Sequence, residues 1–230
     1  RQSDLIAHIG FSSDGMQLRR GPAGKAFKTD WVGGEITPLP GSAVGTQVMR
    51  LQGRPEQGID LAMPGHPGFE KLTFVAWARV EPIPGRTNAP LLHHSRKDMA
   101  KSIPNWQLRP DLNAIHINQF AVDGSPVSSR RIAASLDGIV WEQWHCFAVV
   151  IDARSGQCDH YFNGRWVGSG ELDQTQPLKL GGLRISSTGR AVTDHPRTIK
   201  GEIGMFTFLN ATLEADEMHQ IYEASRPLFD

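Results

Sequence analysis

Three consecutive residues, Cys158-Asp159-His160, carry the residue types of a nucleophile, an orienting acid and a base. That chemistry needs side chains in hydrogen-bond contact, and consecutive residues of an extended segment point to opposite faces. The run therefore reads as strand sequence rather than as a triad. His93-His94 raises metal ligation. On a strand the two rings diverge and cannot share one ion without a bulge. Gly-x-Ser-x-Gly, His-Glu-x-x-His, Cys-x-x-Cys and Gly-x-x-x-x-Gly-Lys are absent from the sequence. The usual signatures of acyl transfer, zinc proteolysis, dithiol exchange and phosphate cradling are thus missing. No catalytic residue is assigned.

Recognition chemistry has better candidates. Around 114–120, Ile115 and Ile117 fall on one face of an extended segment, and His116 and Asn118 on the other. Trp106 and Gln107 come just before, and His160 and Trp166 belong to later strands that could line the same region. Flat aromatic rings suit the CH-rich faces of sugars, while Asn, Gln and His offer hydrogen bonds to hydroxyls. Trp106, Gln107, His116, Asn118, His160 and Trp166 are therefore the expected ligand-binding set. An ordinary structural reading stands beside it, since Trp77, Trp144 and Trp166 would also suit a sandwich core.

The elements that must hold these residues are mostly strands. Short β-branched and aromatic runs bounded by turn residues mark 5–11, 47–51, 58–63, 72–81, 90–94, 106–108, 114–122, 127–133, 144–152, 158–162, 165–168, 178–186 and 199–209. The stretch 33–45 reads as loop. Asn163-Gly164 suits a type I′ turn, because both residues tolerate positive φ. Pairing Asp152 with Gln157 sets Cys146 opposite Asn163 and Cys158 opposite Ile151. The two thiols are then too far apart along the ladder for a disulfide. One helix is expected near the C-terminus. Glu214 is its N-cap, Glu217 completes a capping box, and Leu213 and Met218 form a hydrophobic staple. Met218, Ile221 and Tyr222 give that helix one apolar face, and Pro227 limits it.

Composition narrows the classes further. The 230 residues carry 24 basic and 24 acidic side chains, so the formal net charge is zero. This argues against nucleic acid as a partner and against a polybasic membrane anchor. The hydrophobic share of 39% supports a sizeable core. The longest apolar run, 146–151, is far short of the roughly 20 residues a membrane helix needs, so no membrane insertion is expected. No linker or repeat divides the chain, and one domain over 1–230 is the simplest reading. The first residue is Arg1 and no signal-peptide pattern follows, which suggests a piece of a longer or processed protein.

The order of motifs resembles a known family. LTFVAWARV (72–80) is followed by WHCFAVVID (144–152), YFNGRWVGSG (161–170) and LKLGGLRIS (178–186). The last is IKGEIGMFTFLNATLEADEMHQIYEASRP (199–227). This is similar to the laminin-G-like jellyroll domains of the concanavalin A-like lectin/glucanase superfamily. The resemblance implies an all-β fold: a two-sheet antiparallel jellyroll β-sandwich with a short C-terminal helix. It also implies an extracytoplasmic recognition module of a larger protein, with a glycan as ligand. A protein partner in adhesion or sensing is the alternative, and a glycoside hydrolase or polysaccharide lyase the second alternative. The hydrolase branch carries Glu-x-Asp-x-Glu on one strand, where the outer carboxylates share a face. Here Glu171-Leu-Asp173 continues into Gln174-Thr175, so the third acid is missing. A lyase set would have only His116, His160 and Tyr161, and the last two alternate faces. Several relatives bind calcium, and the resemblance implies Asp60, Asp123 and Asp152, with Asp194, as acids that could contribute to a Ca²⁺ site.

Overall fold

The computed structural model describes residues 2–40, 42, 45–94, 104–119, 132–172, 175–187 and 197–229. Among these the strands are β1 (Leu5–Ser12), β2 (Gly15–Arg20), β3 (Lys28–Gly33), β4 (Glu35–Pro38), β5 (Gln47–Gln52) and β6 (Gly58–Ala62). They continue as β7 (Lys71–Val80), β8 (Ala89–His94), β9 (Pro104–Arg109), β10 (Ala114–Gln119) and β11 (Ile132–Ser135). The last are β12 (Trp144–Asp152), β13 (Gln157–Phe162), β14 (Arg165–Glu171), β15 (Leu183–Ile185) and β16 (Lys200–Leu209). One α-helix, α1 (Ala215–Ser225), follows.

Two antiparallel sheets form a sandwich. The first runs β14-β13-β12-β7-β16-β1-β2, with β5 also paired to β16 and β4 to β5. The second runs β11-β10-β9-β8-β15-β6-β3. Alternation decides what each face buries. Leu72, Phe74, Ala76, Ala78 and Val80 of β7, with Phe147, Val149 and Ile151 of β12, face the second sheet. That sheet answers with Ile59, Leu61, Trp106, Leu108, Ile115, Ile117 and Ile185.

The opposite face of the first sheet is also covered. Val75, Trp77, Cys146, Ala148, Val150 and Tyr161 form a second apolar cluster with Leu213, Met218 and Phe229. The central strands of this sheet are therefore apolar on both faces, which is why β7 reads as a nearly unbroken hydrophobic run. Helix α1 starts as its sequence requires. Glu214 is the N-cap, Glu217 at N3 completes the capping box, and Met218 is fully buried. The indole of Trp77 stacks on Tyr222 of α1 at 5.6 Å and on Phe229 at 4.7 Å. Among the described residues, no helix is long and apolar enough to cross a membrane.

Three strands depart from the sequence reading. β2 and β3 carry no strong strand signal, and β4 occupies part of the stretch read as loop. All three lie at sheet margins, where one neighbour and partial exposure suffice. The run 178–186 contributes only the short β15, while Leu178 makes an isolated bridge to Phe69. Much of the expected strand 127–133 lies outside the described residues.

Candidate recognition cleft

The hairpin of β13 and β14 turns at Asn163 and Gly164, with φ of 48° and 73°, as a type I′ turn demands. Asn163 is fixed twice over. Its Oδ1 accepts the Cys146 amide at 2.9 Å, and its Nδ2 donates to His145 Nδ1 at 3.1 Å. His145 in turn donates from Nε2 to the Val140 carbonyl at 2.9 Å. Gly164 abuts α1 so closely that a Cβ there would stand 2.8 Å from Cβ of Tyr222. The turn thus sets the start of β14 beside the helix.

Trp166 follows on β14. The ladder shifts between His160 and Tyr161, so that Tyr161 faces Trp166 and His160 faces Gly168. This bulge leaves Val167 as the extra residue and re-aims the indole. Trp166 is 56% exposed. Its Nε1 donates to Asp159 Oδ1 at 3.3 Å, and that oxygen also accepts from Gln157 Nε2 at 3.0 Å. The ring is therefore exposed and tethered at once. It lines a cleft of about 580 Å³ with Arg165, Asp137, His219 and Glu223 of α1, and Arg226 just after the helix. Arg226 lies over the Tyr222 ring at 5.9 Å and 3.5 Å from Glu223. An aromatic wall ringed by both charge signs can stack on a ligand and hydrogen-bond its rim.

Of the other expected ligand-binding residues, Trp106, Gln107, His116 and His160 do not converge on Trp166. Trp106 is a correction: it is fully buried between the sheets, opposite Ile117, with Phe206 edge-on at 5.9 Å. His160 is another. Its ring faces the interior, and Nε2 lies 3.1 Å from the Ile132 carbonyl on the other sheet. Its Nδ1 is buried without a hydrogen-bond partner among the described residues. Burial pushes His160 down to about 4, so the ring is neutral near pH 7. Gln107 and His116 are cross-strand partners on the outer face of the second sheet, and both are buried. Gln107 Nε2 donates to Asn105 Oδ1 at 2.8 Å. The backbone of Asn118 pairs with Asn105 on the same strands, and its side chain lies outside the described residues. The lyase set dissolves with this placement, since His116, His160 and Tyr161 belong to three different faces.

The acids implied for calcium are also separated. Asp60, on β6 of the second sheet, accepts both arms of Arg184 at 2.5 and 2.7 Å. Asp152 ends β12 of the first sheet and caps its own turn, accepting from the Arg154 amide at 2.9 Å. Asp123 and Asp194 lie outside the described residues. A calcium ion needs six to eight oxygens. No group of three or more metal-ligating side chains occurs among the described residues, so Asp60 and Asp152 do not fit one ion.

Sequence reasoning missed Asp137, His219, Glu223 and Arg226. The one local signal was Asn163-Gly164, because the close approach at Gly164 brings α1 to the hairpin.

No protein-family model matches the chain, and no curated protein matches its sequence. Solved structures match its fold. The botulinum neurotoxin type G receptor binding domain gives a TM-score of 0.67 at 16% identity, over 97% of this chain and 52% of that one. The binding domain of paraclostridial mosquitocidal protein 1 gives 0.65 at 12% identity, again over 97% and 52%. A botulinum neurotoxin type C structure gives 0.70 at 10% identity, over 97% and 51%. The chain therefore spans about half the length of these binding domains. At such identities the shared property is the fold, an antiparallel β-sandwich.

Proposed function

We propose that this chain is a non-catalytic recognition module that binds carbohydrate in the Trp166 cleft. The observation that carries the reading is the exposed, hydrogen-bonded indole of Trp166 set in a polar cleft. A ring held in place loses little freedom when a sugar face stacks on it. The fold neighbours support the ligand class. The binding domain of botulinum neurotoxin DC is known in complex with SialylT, and cell entry of type C depends on two ganglioside molecules. The separation of His116, His160 and Tyr161 favours recognition over catalysis. The motif order of 72–227 supports assignment to the laminin-G-like jellyrolls, and with it an extracytoplasmic address within a larger protein.

The test is a glycan array run with the wild-type chain and with Trp166→Ala, each with calcium and with chelator. Wild type is expected to bind a defined subset of glycans in both conditions. Trp166→Ala is expected to lose roughly tenfold or more in affinity, about 1.4 kcal/mol. Array binding that survives Trp166→Ala unchanged overturns the cleft. An empty array removes the glycan reading and leaves a protein partner as the class to pursue.

A further inference from the structure

A second cleft, of about 690 Å³, lies at the other end of the second sheet's strand order, where β3, β6 and the segment before β15 meet. It shares no lining residue with the Trp166 cleft. Its floor is apolar, with Met63 and Leu180 both buried. Its rim is cationic. Lys28 at the start of β3 and Lys179 both line it, and among the described residues no Asp or Glu does. Neither ammonium has an ion-pair partner among the described residues. Asp30, next on the same face of β3, lies opposite Asp60 and does not line the cleft.

His66 supplies a third donor. The loop that carries it is pinned by Pro64 and Pro67 and by two glycines with positive φ, Gly65 at 74° and Gly68 at 118°. The Gly68 backbone presses against Pro177, where a Cβ would meet the proline ring at 2.8 Å. The imidazole stacks on Phe69 at 4.2 Å, and its Nδ1 accepts the Gly68 amide at 3.1 Å. An accepting Nδ1 places the ring proton on Nε2. That N–H makes no hydrogen bond among the described residues.

We infer that this cleft is a second binding site, for an organic phosphate or sulfate monoester. Its tetrahedral oxyanion is held by Lys28, Lys179 and His66 Nε2–H, and its apolar group lies on Met63 and Leu180. Two cations that have no ion-pair partner, and no acid beside them in the lining, among the described residues select an anion, and the floor selects an apolar body over a bare ion. The site is independent of carbohydrate binding at Trp166.

The test is isothermal titration of the intact chain with 1-naphthyl phosphate at low salt, beside 1-naphthol and inorganic phosphate. Wild type is expected to bind the ester saturably at one site, and each half-probe roughly tenfold more weakly. The double variant Lys28→Ala/Lys179→Ala, checked for native near-ultraviolet circular dichroism, is expected to lose roughly tenfold or more. His66→Ala is expected to weaken binding to a smaller degree, and Trp166→Ala to leave it unchanged. No saturable binding by wild type overturns the site, as does a double variant that binds like wild type. Inorganic phosphate binding as tightly as the ester overturns the role of the apolar floor.

Discussion

His160 and Trp166 stand on adjacent strands and face different media. The first points between the sheets and ties β13 to the Ile132 carbonyl, while the second points to solvent. Alternation along Asp159, His160 and Tyr161 was legible in the sequence. Which face meets the other sheet was not, because only the packing of β11 against β14 decides it. There Gly168 and Gly170 leave room for Ala134 and Ile132. The buried site makes His160 a stability sensor. Its folded value of about 4 lies below the ordinary value near 6.5, so the unfolded chain takes up the proton first. The contribution is complete above about pH 6.5 and is lost as pH falls from there toward 4. His160 alone is expected to cost about 2 kcal/mol between pH 7 and pH 5. Urea midpoints at the two pH values check this, and His160→Gln, which keeps a neutral donor, should narrow the difference. His8 and His145, also lowered by burial, act with the same sign and leave a residual slope.

Elements built from local contacts were the legible ones. The β12–β13 register was fixed by its turn: Cys158 lies opposite Ile151, and the Asn163 amide bonds the Cys146 carbonyl at 2.8 Å. The two thiols fall in different apolar clusters, and burial pushes both up, away from reactivity. Helix α1 was legible because capping box and staple are written within a few residues. Its contact with the hairpin was not, because it joins segments far apart in sequence. That contact is testable at Gly164. Gly164→Ala meets both a positive φ and the Tyr222 side chain, so a loss of about 1–3 kcal/mol is expected in thermal unfolding. Glycan affinity should fall with it, because α1 and the hairpin together form the cleft. Trp166→Ala should lower affinity while leaving the melting temperature near that of wild type. Glu217→Ala, which opens the capping box, is expected to cost about 1 kcal/mol and to spare the cleft.

At the scale of the molecule, two apolar layers hold the sandwich: one between the sheets, one under α1 and the C-terminal segment. Phe229 closes the second layer. It stacks on Trp77, meets Trp144 at a tilt with ring centres 4.9 Å apart, and sits where a Cβ on Gly204 would collide with its ring. Phe229→Ala is expected to destabilise by about 3 kcal/mol in denaturant unfolding, as removal of a buried aromatic does. This layered burial also explains the split of the expected ligand set. A sandwich of this size consumes Trp77 and Trp106 in its cores and leaves Trp166 outside, a distinction that residue type does not carry. The most direct test of the account is the indole N–H spectrum of the six tryptophans during titration with a glycan selected on the array. The account predicts that the Trp166 resonance shifts saturably, because the ligand stacks beside its bond to Asp159, while Trp77 and Trp106 stay in place. A saturable shift at other positions with Trp166 unmoved would contradict it.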